Sequence, residues 1–229
     1  MRDIILLHGA LGSKAQLEKI SALLSEQYRT HLLNLPGHGG EPFSSEAFSM
    51  RSFAAHVVAY IHTHQLHQPA IFGFSMGGYV AMQIAADHPG LVGSIITLGT
   101  KFYWDATIAT REVKHLQTEV IEEKIPAFAK ELAARHSPLD WKDQMRRTAG
   151  LLISLGEKNS LELASYSKIE IPCLLLLGDR DKMITLSETT DVYHALPNAA
   201  MAVLPYTAHP IEKIDIELLK FFIDRFIAS

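Results

Sequence analysis

Two hydrophobic patterns divide the chain: unbroken apolar runs, and stretches where apolar residues recur every three or four positions. IILL (4–7), AIFGF (70–74), VGSIITL (92–98) and PCLLLLG (172–178) are runs of the first kind, joined by AMAVLP (200–205) and the weaker THLLNL (30–35). Such runs suit strands covered on both faces, as in a parallel sheet. Between them, KAQLEKISALLSEQ places Leu17, Ile20, Leu23 and Leu24 on one helical stripe. MRSFAAHVVAYIHTH does the same with Phe53, Val57 and Ile61, after an N-cap at Ser49. GYVAMQIAADHP continues helically from a glycine pair to a stop at Pro89. Strand and helix in succession predict an α/β fold, a mostly parallel sheet of about six strands flanked by helices.

The alternation lapses between about 101 and 168. REVKHLQTEVIEEK, IPAFAKELAAR and DWKDQMRRTAGLLISLG are helical in pattern, and no apolar strand lies among them. An all-helical insertion at 101–168 is expected, set into a core made of residues 1–100 and 169–229. No repeat, low-complexity segment or flexible linker interrupts this plan.

Composition narrows the function classes. With 229 residues, 48% of them apolar and 20% charged, the chain can bury one sizeable core. A net charge of −4 and scattered Lys and Arg offer no footprint for nucleic acid or an anionic membrane. The single cysteine, Cys173, excludes an internal disulfide and reads as a small buried hydrophobe. The N-terminal apolar run is too short for a signal peptide and no run has bilayer length, so a soluble cytoplasmic protein is expected.

Candidate chemistry centres on IFGFSMGG (71–78). Gly73-Phe74-Ser75-Met76-Gly77 satisfies G-x-S-x-G, with an apolar strand before it and an amphipathic helix after it. A sharp strand-to-helix turn forces Ser75 into an unusual backbone conformation that only very small neighbours permit. Its Oγ then stands at the carboxyl edge of the sheet, near the positive end of the helix.

A serine hydroxyl becomes a nucleophile only when a base takes its proton, and a third group must orient that base. Asp179 and Asp181 follow the strand PCLLLLG, and His209 follows AMAVLP, both at the edge where open α/β sheets collect functional groups. Asp181 is the preferred acid. Asp179, next to Gly178, suits a turn-holding role, and Asp105 is a third option. Among the twelve histidines, His8 and His38 rival His209, but both sit beside glycines at strand ends and suit loop shaping. No histidine pair has the acidic neighbours a metal would need, so neither metal nor cofactor is expected. An oxyanion hole requires two backbone amides. Met76, first in its helix, supplies one; in His8-Gly9-Ala10-Leu11-Gly12 the second is Ala10, with Leu11 as the alternative.

HGALG (8–12), LPGHGG (35–40), GFSMGG (73–78), GDRD (178–181) and TAHP (207–210) together give a chain that resembles the α/β-hydrolase superfamily in its compact, capped form. The resemblance implies a Ser75–His209–Asp181 triad, oxyanion donors at Met76 and Ala10, and a helical cap formed by 101–168. Members usually carry an extra N-terminal strand pair before the His-Gly loop, whereas this sequence starts directly on that strand, so a smaller sheet of about six strands is expected. Asn34 stands where Asp is frequent, and the usual Ser after the second Gly of GHG is missing.

The leading expectation is hydrolysis of a small-molecule carboxylic ester or thioester. An alternative on the same fold is carbon–carbon bond hydrolysis or a lyase step on carboxylate-rich substrates, with Arg111, Arg146 or Arg147 of the insertion as anion ligands. A receptor with little turnover is a third. Phe102, Tyr103, Trp104, Leu152 and Met183 are candidates either for the pocket wall or for cap-to-core packing.

Overall fold

The computed structural model describes residues 1–228. Six strands form one sheet: β1 (Arg2–Leu7), β2 (Tyr28–Leu33), β3 (Ala70–Phe74), β4 (Ser94–Leu98), β5 (Cys173–Gly178) and β6 (Ala199–Leu204). Their order is β2-β1-β3-β4-β5-β6, and every neighbouring pair is parallel. The sheet expected from the unbroken apolar runs is therefore present, without an antiparallel strand. The runs at 30–35 and 200–205 supply the two edge strands, β2 and β6. There one flank is open and burial is incomplete, which leaves room for the polar residues of THLLNL.

Because side chains alternate across a strand, each run feeds two cores. Ile5, Leu7, Ile71, Ile95, Cys173 and Leu175 face helices α2 (Met50–Thr63), α3 (Met76–Asp87) and α9 (Leu186–Ala195). Ile4, Leu6, Phe72, Ile96, Leu174 and Leu176 face α1 (Glu18–Leu24) and α10 (Ile216–Ile227). Fully burying one such side chain contributes about 1.5–3 kcal/mol. Ser49 caps α2 as its sequence position predicts, its Oγ accepting from the Ser52 amide at 2.9 Å.

Between β4 and β5 the chain makes α4 (Ala106–Val113), α5 (Thr118–Lys124), α6 (Pro126–His136), α7 (Trp141–Glu157) and the short α8 (Leu163–Tyr166), with no strand. Ile121, Ala129, Leu132, Trp141 and Met145 give α5–α7 a small core of their own. Leu151, Leu155 and Tyr166 join the main one. Among the described residues no helix is long and apolar enough to cross a membrane.

The register matters for function. Leu7 pairs with Gly73, Phe74 with Leu98, Leu98 with Leu176, and Gly178 with Leu204. The carboxyl ends of five strands therefore lie along one edge, and the loops holding residues 8–12, 75, 99–101, 179–181 and 205–209 all leave from it.

Candidate active site

Ser75 sits between β3 and α3 with φ +50° and ψ −117°, a conformation that L-residues rarely adopt. The turn is over-determined. The Ser75 amide donates to the Leu98 carbonyl at 2.8 Å, and its own carbonyl accepts from the Gly78 amide and from Thr100 Oγ1, each at 3.0 Å. A Cβ at Gly73 would collide with the Gly77 backbone, and one at Gly77 with the carbonyls of Leu7 and His8. Those glycines exist because two backbones touch there, which is how the strain at Ser75 is held.

Asp181 and His209 are brought together from separate strands. His209 Nδ1–H donates to Asp181 Oδ2 at 2.7 Å, while Asp181 Oδ1 accepts from the amides of Met183 at 2.8 Å and Ile184 at 3.0 Å. The carboxylate is almost wholly enclosed, with 2% of its side chain exposed. Burial opposes its ionisation, but the His209 bond and charge, with the two amides, outweigh burial and hold its pKa below the ordinary carboxylate value. Gly99 packs under the pair: a Cβ there would stand 3.2 Å from Asp181 Oδ2 and 3.3 Å from His209 Nδ1. The Phe74 ring lies 5.3 Å from the imidazole, centroid to centroid.

The other acids have different work. Asp179 Oδ1 accepts from the Thr207 amide at 2.9 Å, the turn-holding role its position suggests. Asp105 caps α4 through the Ile108 amide at 2.7 Å. The rival histidines are enclosed and shape loops. His8 Nδ1–H donates to the Gly9 carbonyl at 2.8 Å, and its Nε2 accepts from the Leu35 amide at 3.1 Å. His38 Nδ1–H donates to the Pro36 carbonyl at 3.0 Å, and its Nε2 accepts from Gln144 Nε2 at 2.9 Å. Desolvation keeps both neutral, His8 with a pKa near 4 and His38 well below the usual imidazole value.

Ser75, His209, Ala10 and Met76 line one cavity of about 650 Å³. No hydrogen bond joins Ser75 to His209 among the described residues; in enzymes without substrate such contacts are frequently long. The loop after β1 lies directly against Ser75, since a Cβ on Gly9 would be 3.2 Å from the Ser75 Cβ. Gly12 N–H donates to the Gly9 carbonyl at 3.1 Å, and Leu11 takes φ +58°. In that turn the amides of Ala10 and Leu11 donate to no acceptor among the described residues. Met76, at the start of α3, has no intrahelical acceptor for its amide.

A family model for the alpha/beta hydrolase fold matches residues 4–151. The chain belongs to the alpha/beta hydrolase family. It is 27% identical over 228 residues to a pimeloyl-[acyl-carrier protein] methyl ester esterase of Chromobacterium violaceum, covering 90% of this chain and 87% of that one. A protein of the same name from Aeromonas hydrophila is 38% identical over 98 residues, 43% of this chain and 37% of the relative. A thermophilic esterase from Thermogutta terrifontis superposes with a TM-score of 0.77 at 17% identity, covering 99% of this chain and 90% of the other. The names of these relatives agree with the expectation of a carboxylic ester hydrolase.

Within this family member, the aromatic and apolar candidates divide. Trp104, Leu152 and Met183 line the Ser75 cavity, whereas Phe102 and Tyr103 line a neighbouring one of about 640 Å³. Arg146 and Arg147 instead pair with Asp143, and Arg147 also lies over the Phe43 ring at 4.5 Å. Arg111 pairs with Glu112. His136 is a residue that the sequence reading passed over: it is fully enclosed and joins three segments. Its position at a helix end gives no hint of this. Asn34 ties two loops together, accepting from the Lys14 amide at 2.8 Å and donating to the Gly39 carbonyl at 2.9 Å.

Proposed function

We propose that the protein hydrolyses a carboxylic ester or thioester of a small molecule through Ser75, His209 and Asp181. His209 takes the Ser75 proton as Oγ attacks the carbonyl carbon, and the amides of Met76 and Ala10 receive the oxyanion. His209 then protonates the departing alcohol or thiol, leaving an acyl group on Ser75. Water, deprotonated by the same imidazole, releases the acid and restores the hydroxyl. Asp181 keeps Nδ1 protonated, so that Nε2 is the basic nitrogen, and stabilises the imidazolium. In this reading residues 101–168 are a cap, and 1–100 with 169–229 are the core beneath it.

The observation that carries the proposal is the 2.7 Å Asp181–His209 bond beside a strained, glycine-flanked serine that faces the same cavity. The cavity also favours an uncharged acyl chain. Its walls include Leu116, Phe128, Leu151 and Leu152, and its two cations are already engaged, Lys101 with Glu188 and Arg135 with Glu131. Neither is left to receive a substrate carboxylate. Methyl and aryl esters of apolar acids fit this lining, in keeping with the methyl ester in the names of two relatives. A chain-length series of p-nitrophenyl esters and acyl thioesters, run on wild type and Ser75→Ala, tests the proposal. Turnover that persists in Ser75→Ala refutes it.

A further inference from the structure

The loop that carries Ala10 is held from above by the helical insertion. The Leu11 carbonyl accepts two hydrogen bonds from the end of α6, one from Arg135 Nη1 at 2.8 Å and one from His136 Nε2–H at 3.2 Å. The Leu11 side chain packs against the small core of α5–α7. His136 Nδ1 accepts from the Gly39 amide at 3.0 Å, so the same ring also grips the loop after β2. Glu131 pairs with Arg135 one helical turn earlier and steadies the guanidinium.

The geometry restricts what the turn can do. The Leu11–Gly12 peptide is fixed on both sides, its carbonyl by α6 and its N–H by the Gly9 carbonyl. Leu11 is meanwhile held at φ +58°, which its side chain makes unfavourable in a free loop. Releasing the carbonyl lets this residue relax toward negative φ, which would rotate the preceding Ala10–Leu11 peptide and, through Ala10, tilt the Gly9–Ala10 peptide whose N–H is the proposed donor. An oxyanion donor acts only if it points where the charge develops, so a small rotation is enough to lose it.

Resting on the proposed ester hydrolysis, we infer that Arg135 and His136 are positioning residues, which complete the oxyanion hole by clamping the Leu11 carbonyl when α6 is seated. Neither needs to touch the reacting atoms. Their effect falls on the transition state, where the oxyanion exists, and little on ground-state binding. A loose α6 would leave Ser75, His209 and Asp181 intact but the hole incomplete.

The test is steady-state kinetics with an aryl ester on wild type, Ser75→Ala, Arg135→Ala, Arg135→Lys and the double variant Arg135→Ala/His136→Ala. Thermal melts report whether each is folded. Arg135→Ala is expected to lose about 10- to 100-fold in kcat, a fraction of what removing a whole donor costs. KM should stay within about threefold, the mark of an interaction made in the transition state. Arg135→Lys, which keeps a donor for Leu11, should recover most of the rate, and affinity for a boronate transition-state analogue should fall in parallel with kcat. If kcat is unchanged in both Arg135→Ala and the double variant, or the loss lies in KM alone, or Lys gives no recovery in a folded protein, the inference is overturned while the ester-hydrolase reading stands. If Ser75→Ala is as active as wild type, the reading fails and the inference fails with it.

Discussion

The Thr207 amide donates to Asp179 Oδ1 at 2.9 Å, and that bond sets the spacing between the loops bearing Asp181 and His209. It is reinforced from the backbone, since the Arg180 amide donates to the Thr207 carbonyl at 2.9 Å and the Asp179 amide to the Leu204 carbonyl at 3.0 Å. Asp179→Ala is expected to lower kcat about 10- to 100-fold, the scale on which a misplacement near 1 Å acts. Asp179→Asn keeps the acceptor oxygen and should stay close to wild type. Kinetics of the two variants check the difference.

Asp181→Asn probes the tautomer of His209 rather than its place. The amide can still accept from Met183 and Ile184, but Nδ2–H facing the ring no longer accepts from Nδ1–H. With Nδ1 left as the basic nitrogen, kcat should fall by about 10³- to 10⁴-fold at unchanged fold stability. Ester turnover and a thermal melt on the same sample give the answer.

Gly77→Ala tests the contact behind Ser75. The added methyl would stand 2.5 Å from the Leu7 carbonyl oxygen, and that oxygen belongs to a central strand that cannot retreat. A loss of about 1–3 kcal/mol or more is expected, as for other overpacked sites. Urea unfolding measures it. Wild-type stability in Gly77→Ala would show that β1 and α3 can separate.

Acid should destabilise the fold through three buried imidazoles. His8, His38 and His136 pack together, with the Arg135 charge close to His8 and His136. Desolvation holds the pKa of His8 and of His136 near 4, against 6.5 in the unfolded chain, and that of His38 well below 6.5. Below pH 6.5 the unfolded chain takes up protons that the folded one refuses, so stability falls as pH drops from 6.5 toward 4. Each histidine contributes up to about 1.4 kcal/mol per pH unit in that window. Asp3, lowered to about 2 chiefly by its hydrogen bond from Arg29, adds a further loss only below about pH 4. Urea midpoints at pH 7.5, 5.5 and 4.5 check the slope, and a flat series would contradict it.

The sheet was legible because unbroken apolar runs have few uses other than strands covered on both faces. The loops at its carboxyl edge were legible because each proposed catalytic group follows its strand within a few residues: Ser75 after Phe74, Asp181 after Gly178, His209 after Leu204. Lateral contacts leave no such trace. Nothing in LAARHSPLD marks His136 as the ring that meets both Leu11 and Gly39, because that meeting depends on how α6 lies across the sheet. The separation of Phe102 and Tyr103 from Trp104, into different cavities, likewise follows from the path of one loop.

The positive φ of Ser75 carries a cost for the whole molecule. A glycine at that point would rest without strain, and the protein would tolerate heat at least as well, but it would lack the hydroxyl on which the proposed hydrolysis depends. The proposed chemistry and the robustness of the fold therefore pull in opposite directions at this one residue.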